Sequence, residues 1–225
     1  MKTGIYWQDP KYALRPGQDF IFDPSLVLYL PLHKLDGASI MSRDACGHLC
    51  SVTGALWTPR GRSFDGDDDS ILLGTDVWSS AELASGTICF WVKPTEKANS
   101  ANIIDFEDYT ALVLQRDGST QRFYSQIDGV WLNSTITGTN GVWYHLVLTW
   151  DGSDQYLYVD GVLKATNATG SPDLDTPSGA VRIGSNNGGV TGMWAGLIDE
   201  AVIYNRALTP LEVQRNYLAS KGRYQ

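Results

Sequence analysis

The chain has 225 residues, of which 43% are hydrophobic and 19% are charged, and its formal net charge at pH 7 is −8. This length can bury the core of one domain, whereas the acidic balance and the lack of a basic face exclude nucleic acid as a partner held through its phosphates. No apolar run is long enough for membrane insertion, and the first residues lack the pattern of a signal peptide. The chain therefore either follows a removed signal or avoids the secretory route, as a virion protein would, and we expect a virion or extracellular location.

Residues 1–24 are expected to form an extended N-terminal arm. They contain Pro10, Pro16 and Pro24 and show no sustained hydrophobic period. The arm is also rich in aromatic residues, which are Tyr6, Trp7, Tyr12, Phe20 and Phe22. Because a free tail rarely carries so many, we expect the arm to lie on its own domain or to dock on a partner, such as another virion protein or a second copy of the chain.

Short strand patterns separated by turn signals fill residues 25–208. Leu26–Leu30 is the first clear strand, and 36–47 is predicted as a polar connection. Thr87–Lys93 is a nearly continuous apolar run of β-formers, which is typical of a core strand, and Val142–Asp151 is the longest strand pattern. Shorter strands are predicted at 49–52, 55–57, on both sides of an acidic turn within 63–72, and at 102–106, 111–115, 122–127, 130–136, 155–159, 162–164 and 180–184.

These strands recur about every ten residues, and Asp-Gly pairs such as Asp160-Gly161 supply hairpin turns between several of them. The pattern predicts an all-β fold for residues 25–225, a two-sheet antiparallel sandwich in a single domain. A short helix is expected at its end, because Thr209 fits an N-cap, Pro210 the first helical position and Glu212 a capping box. This helix would run to about Ala219 and bury a stripe of Leu211, Val213 and Leu218.

The segment Trp194–Leu208 holds two adjacent carboxylates within one strand pattern. Strand alternation predicts that Asp199 and Glu200 lie on opposite faces, so at least one of them points into a packed surface. A buried carboxylate is costly unless a cation, an arginine or several backbone N–H groups satisfy it. Both acids therefore need partners.

Three cysteines leave at least one thiol unpaired within the chain. Cys46, His48 and Cys50 are closely spaced, but a structural zinc site requires four well-spaced ligands. Because His33 and His145 are the other two histidines, the pattern favours reduced thiols over a metal site.

Six motifs in order resemble the laminin G-like domains of the concanavalin A-like lectin/glucanase superfamily. They are Leu-Val-Leu-Tyr-Leu-Pro-Leu at 26–32, Ser-Phe-Asp-Gly-Asp-Asp-Asp at 63–69, Ile-Cys-Phe-Trp-Val-Lys-Pro at 88–94, Val-Trp-Tyr-His-Leu-Val-Leu-Thr-Trp-Asp-Gly at 142–152, Leu-Tyr-Val-Asp-Gly-Val-Leu at 157–163 and Gly-Leu-Ile-Asp-Glu-Ala-Val-Ile-Tyr-Asn-Arg-Ala-Leu at 196–208. The resemblance covers roughly residues 25–219 and implies a jelly-roll sandwich. It is less specific for function, because the fold carries lectins, adhesion modules, virion proteins and glycanases.

The resemblance also implies a structural calcium ion between the Phe-Asp-Gly turn and the Ile-Asp-Glu strand, which maps onto Asp65 and Asp199. Asp68 is a further ligand candidate, since calcium takes six to eight oxygen ligands. In the alternative, Asp65 caps its own turn, and Asp199 accepts backbone N–H bonds or pairs with Arg206 or Arg62.

A glycan or other surface polymer is the expected ligand. Lectins stack sugars on aromatic rings and bind hydroxyls with Asp, Asn and backbone groups. The candidate ligand-binding residues are Trp131, Asp128, Asn133, Tyr109, Asn186 and Asn187. In the alternative, most tryptophans, such as Trp91, Trp143 and Trp150, fill the core of the sandwich.

Catalysis is not expected. Glycanases of this fold resemble one another in a Glu-x-Asp-x-x-Glu strand, and this sequence has no such motif. The nearest acidic cluster, 105–108, lacks a third acid at strand spacing. We therefore predict a non-catalytic, lectin-like binding domain, with a virion structural or capsid decoration protein assembled through residues 1–24 as the alternative.

Overall fold

The structure is a computed structural model that describes residues 23–73, 77, 84–95, 100–106, 110–117, 120–127, 129–168, 181–186, 188–189 and 191–225. Of the predicted arm, it therefore describes Asp23 and Pro24. Within these ranges no helix is long and apolar enough to cross a membrane. The strands in chain order are β1 (Leu26–Leu30), β2 (Ser39–Met41), β3 (Leu49–Thr53), β4 (Leu56–Thr58), β5 (Gly61–Asp65), β6 (Ser70–Leu72), β7 (Gly86–Pro94), β8 (Ala101–Phe106), β9 (Thr110–Asp117), β10 (Thr120–Ile127), β11 (Val130–Thr137), β12 (Tyr144–Trp150), β13 (Asp154–Val159), β14 (Val162–Ala168), β15 (Arg182–Ile183) and β16 (Ala195–Tyr204).

The strands form two antiparallel sheets. Sheet A has the order β14-β13-β12-β7-β16-β5-β4, with β1 also paired to β16, and sheet B has the order β11-β10-β9-β8-β15-β6-β3-β2. The two sheets enclose one large apolar cluster, to which β7 and β12 contribute Phe90 and Trp150 and sheet B contributes Ile104, Phe123 and Ile183. This arrangement confirms the predicted all-β sandwich.

A helix and the C-terminal tail cover the outer face of sheet A. Helix α1 (Pro210–Ser220) begins with the predicted capping box, in which Thr209 and Glu212 bond to each other's backbone, and a 3-10 turn (Lys221–Arg223) follows it. Beneath the helix, Val147, Val202 and Val213 form a second buried cluster with other residues. The capping sequence thus places the chain end on the sheet.

Two local predictions were wrong. Ser39–Met41 forms strand β2 inside the predicted polar connection, because β3 offers it a pairing edge. Leu211 and Leu218 are exposed by 64% and 51%, so they do not form a buried stripe with Val213. The reason is geometric: the two leucines are seven residues apart on one side of the helix, and Val213 lies on the other side.

Candidate functional site

A bulge in β16 brings Asp199 and Glu200 to the same side of sheet A. The pairing of β16 with β7 shifts register between Asp199 and Val202, and Glu200 has a positive φ of 51°. Ile198 and Ala201, on either side of the acid pair, both pack in the core between the sheets. The prediction that the two acids lie on opposite faces was therefore wrong, because one extra residue in the strand interrupts the alternation.

Asp199 is completely buried and has polar partners from three directions. Its carboxylate accepts hydrogen bonds from the backbone N–H of His33 at 3.0 Å and from the hydroxyl of Tyr224 at 2.8 Å. The Nδ1 atom of His33 lies 2.9 Å from Oδ2, and the backbone N–H of Glu200 donates to Oδ1 at 2.8 Å. These contacts give the buried carboxylate the hydrogen-bond partners that it needs.

Glu200 forms an ion pair with Arg223 of the C-terminal tail, and the hydroxyl of Tyr29 lies 3.5 Å from its Oε1 atom. Burial raises the pKa of the Glu200 carboxyl, and the charge of Asp199 raises it further. The guanidinium of Arg223 opposes both effects and lies 4.0 Å from Asp199. The acid pair thus shares the guanidinium of Arg223, and the imidazole of His33 also lies near both acids, 2.9 Å from Asp199 and 4.0 Å from Glu200.

The arginines that the sequence suggested for Asp199 have other partners. Arg62 donates to the backbone carbonyls of Ala55 and Asp36, and Arg206 binds Asp23 and Glu212. The predicted need for partners is confirmed, but Arg223 replaces both candidates. Arg223 and Tyr224 lie more than twenty residues after the acids, where strand patterns give no signal for them.

Aromatic stacking seals the acid pair beneath the tail. The ring of Tyr224 stacks on Trp91 with centroids 4.1 Å apart and packs against Trp143 at 4.8 Å. Trp91 also donates a hydrogen bond to Ser220 at the end of α1. Because no carboxylate oxygen of Asp199 reaches solvent, the geometry makes this acid an anchor for the tail rather than an acid or base for an external substrate.

Beside this anchor, a small pocket lies between α1 and sheet A. Its lining is Cys89, Trp91, His145, Glu200, Val202, Tyr204, Asn216 and Ser220. The Nδ1 atom of His145 is buried without a hydrogen-bond partner, and complete burial lowers the pKa of this imidazole to about 3. His145 is therefore neutral at physiological pH.

The predicted calcium ligands do not come together as one set. The Oδ atoms of Asp65, Asp68 and Asp69 lie within 4.8 Å of one another in the turn between β5 and β6. Asp65 pairs with Ala195, so Asp199 is four residues further along β16, about 13 Å away. Asp199 does not fit the calcium site that the resemblance implies, whereas the three acids of the turn supply oxygen ligands of the type that calcium uses.

Asp65 also caps its turn, as the alternative proposed, because its Oδ1 accepts the N–H of Asp67 at 2.8 Å.

A second loop with possible metal ligands contains Asp44, Cys46 and His48, whose ligand atoms lie within 4.8 Å of one another. Asp44 already accepts backbone N–H bonds from Cys46 and Tyr29, and all three cysteines are free thiols. This loop is therefore organised by an Asp cap.

Trp131 and Asn133 lie on the outer face of sheet B. In the β10–β11 hairpin, Tyr124 is opposite Asn133 and Gln126 is opposite Trp131. The edge of one ring faces the other between Tyr124 and Trp131, with centroids 6.2 Å apart. Asn133 donates to the hydroxyl of Tyr124 at 3.1 Å and accepts the backbone N–H of Thr135 at 2.8 Å. The hairpin thus presents a fixed amide beside two rings.

The exposed fraction of Trp131 is 47%, whereas Trp150 and Trp194 are fully buried. Trp150 fills the core between the sheets, as the alternative proposed. Trp91 and Trp143 are also buried, but they form a separate cluster with Tyr224 under the C-terminal tail, so the prediction that they fill the sandwich was wrong. Trp131 is different because neighbouring Leu132 points into the sandwich and takes the core position. Its indole face is available to a ligand.

The remaining ligand candidates are not part of this surface. Asn186 closes its own loop, because it binds the side chain of Thr191 at 2.7 Å and the backbone of the same residue. It follows β15, four strand positions from β11, or about 19 Å across the sheet. Asp128, Tyr109 and Asn187 lie outside the described residues.

Comparison with known families identifies the domain. A laminin G-type family model, described as the concanavalin A-like lectin/glucanases superfamily, matches residues 65–214, which is more than half of the chain. The chain belongs to this superfamily. The match spans the acidic turn, the β10–β11 hairpin and the Asp199–Glu200 bulge. No curated protein sequence matches the chain.

Solved structures confirm the superfamily fold at low sequence identity. One similar structure is domain 4 of AbnA, a GH43 extracellular arabinanase from Geobacillus stearothermophilus, in complex with arabinotriose. Its TM-score is 0.65 and its sequence identity is 21%, and the match covers 89% of this chain and 98% of that domain. The ligand-binding domain of botulinum neurotoxin serotype D, in complex with N-acetylneuraminic acid, has a TM-score of 0.65 and 13% identity, covering 87% of this chain and 51% of that one.

Trypanosoma rangeli sialidase, in complex with 2,3-difluorosialic acid, has a TM-score of 0.66 and 16% identity, and the match covers 88% of this chain and 34% of the sialidase. This superfamily member thus spans about half of the toxin chain and a third of the sialidase. The similarity establishes a fold that occurs both in carbohydrate-binding domains and within enzymes.

Proposed function

We propose that this chain is a non-catalytic, lectin-like domain that binds a glycan on the outer face of sheet B. The observation that carries the proposal is the half-exposed ring of Trp131 next to Tyr124 and the fixed amide of Asn133. Aromatic rings bind the apolar faces of sugars, and an amide held in one orientation binds sugar hydroxyls with little loss of side-chain entropy.

The state of the acid pair supports a binding role rather than catalysis. A glycosidase requires two carboxyl groups that flank the sugar bond. Asp199 is completely buried, and Glu200 is 6% exposed and paired with Arg223. These carboxyl groups bind the C-terminal tail, and the exposed β10–β11 hairpin binds the glycan.

Two of the similar structures suggest the first probes. Arabinotriose and N-acetylneuraminic acid occur in the complexes described above, and a glycan array with and without a chelator extends the search to other sugars. We expect at least one glycan to bind the folded protein. Trp131→Ala should weaken this binding on the order of tenfold, as truncation of a central aromatic contact typically does.

Trp57 provides a matched control. It is exposed by 37% but lies on β4 of sheet A, so Trp57→Ala should leave glycan affinity unchanged. Uniform absence of binding on the array by a folded sample would overturn the proposed function. Binding that is lost in Trp57→Ala and kept in Trp131→Ala would instead assign recognition to the other sheet.

A further inference from the structure

The outer side of α1 presents two leucines to solvent. Leu211 and Leu218 are exposed by 64% and 51%, and their seven-residue spacing places them on one side of the helix, about 10 Å apart along its axis. Arg215, also exposed, lies between them. Val213 occupies the opposite, buried side. We name the surface formed by Leu211, Arg215 and Leu218 the leucine stripe.

The described chain begins at one end of this stripe. Asp23 accepts a hydrogen bond of 2.5 Å from Nη2 of Arg206, and the same nitrogen donates to Glu212 at 2.8 Å. Glu212 is in the first turn of α1, next to Leu211. One guanidinium therefore joins residue 23 to the first turn of α1, the helix that carries the leucine stripe.

The sequence that precedes Asp23 has the composition to cover an apolar surface. Residues 1–22 contain five aromatic residues, two of which, Phe20 and Phe22, immediately precede the anchored aspartate. The 22 residues before Asp23 exceed the three or four residues needed to span the 10 Å between Leu211 and Leu218.

From these observations we propose that the aromatic N-terminal segment, residues 1–22, docks on the leucine stripe of its own domain, with Phe20 and Phe22 against Leu211 and Leu218. The contact goes beyond glycan recognition, because it lies on the helix that covers sheet A, whereas the proposed glycan surface is on sheet B. It gives the exposed leucines an apolar partner and places the N-terminal segment on the outer side of α1.

Trypsin cleavage of the full-length chain tests the docking, because Lys11 and Arg15 lie within the segment. A docked segment is cut only when it dissociates, so the rate follows the undocked population. Leu211→Asp combined with Leu218→Asp should accelerate cleavage after Arg15 on the order of tenfold. The control Leu35→Asp, at a residue that is 74% exposed elsewhere, should leave the rate unchanged.

A second pair of substitutions distinguishes contact from general loosening. Phe20→Ala with Phe22→Ala should accelerate the same cleavage, and combining all four changes should add little, since both pairs remove one contact. Circular dichroism and the melting temperature verify that each variant is folded.

Two results would overturn the proposal. One is equal cleavage of the unmodified chain and the leucine variant. The other is protection that increases with protein concentration, together with a dimer in light scattering, because the segment would then dock on a second copy.

Discussion

Tyr224, next to last in the chain, donates a 2.8 Å hydrogen bond to the completely buried Asp199 of β16. Its ring also stacks on Trp91 of β7. The bond therefore joins the C-terminal tail to the middle of sheet A. It forms where the β16 bulge turns both Asp199 and Glu200 toward the tail.

Tyr224→Phe should lower the free energy of unfolding by about 2 kcal/mol, the range expected when a buried charged acceptor loses a donor. Urea denaturation measures the change. The control is Tyr156→Phe, whose hydroxyl contacts Asp151 and Asp154 at a hairpin end and should cost no more than about 0.5 kcal/mol. Equal losses of unfolding free energy in the two variants would show that the buried hydrogen bond contributes no more to stability than an exposed one.

Removal of Arg223 should be partly rescued by neutralising Glu200. Arg223→Met leaves Glu200 buried beside Asp199 without their shared cation and should cost about 2 kcal/mol. This is less than a fully buried pair costs, because the arginine side chain is 43% exposed.

In the double variant Arg223→Met with Glu200→Gln, the uncompensated charge is gone, so the loss should be smaller than the sum of the two single losses. Denaturant titrations of the four proteins give the coupling free energy. Strict additivity would contradict the ion pair.

The sequence predicts the part of this anchor that depends on local pattern. Two adjacent acids within a strand pattern correctly indicate at least one buried carboxylate in need of partners, although the alternation that placed them on opposite faces was wrong. The bulge could not be predicted, because Glu200 adopts φ 51° without a glycine to mark it. Arg223 and Tyr224 reach the acids only through the path of α1, which tertiary packing determines.

The proposed glycan surface could have been predicted more completely from the sequence. Trp131 and Asn133 are on the exposed hairpin, as expected, but Tyr124 was missed. The predicted two-residue turn at 128–129 fixes the register of the flanking strands, so that Ile127 faces Val130 and Tyr124 faces Asn133. Counting back from the turn would have found it. Asn186, by contrast, is of a residue type that often binds sugar hydroxyls, but its side chain is held within its own loop.

We predict that calcium binds the acidic turn and that Asp199 takes no part. Burial raises the pKa of Asp69, and the charges of Asp65 and Asp68 raise it further, so a divalent cation would relieve repulsion among these acids. At a concentration about a hundred times its dissociation constant, a ligand stabilises the fold by about 2.7 kcal/mol.

The measurement is the rise in melting temperature between chelator and excess calcium. Asp199→Asn should show the same calcium-dependent rise in melting temperature as the unmodified chain, although its melting temperature in chelator is lower. Asp68→Asn should show little calcium-dependent rise. No rise in the unmodified chain would exclude calcium at the turn, and loss of the rise in Asp199→Asn would restore the pairing that the family resemblance implied.

Glu212 should make stability depend on pH at the acidic end. Hydrogen bonds from Arg206 and then from Thr209 lower the pKa of the Glu212 carboxyl from 4.5 to about 2. Because the folded state holds its proton less tightly than the unfolded state, Glu212 contributes its full stabilisation above pH 4.5. This contribution is lost as the pH falls toward 2.

Glu212→Gln should therefore be less stable than the unmodified chain at neutral pH, by about 1 kcal/mol for the weakened capping box and ion pair. The gap between the two proteins should close as the pH falls from 4.5 to 2. Urea denaturation at a series of pH values measures it. A gap that stays constant across this window would show that the Arg206 contact does not shift the titration of Glu212, since only a difference in proton binding between the folded and unfolded states produces such a slope.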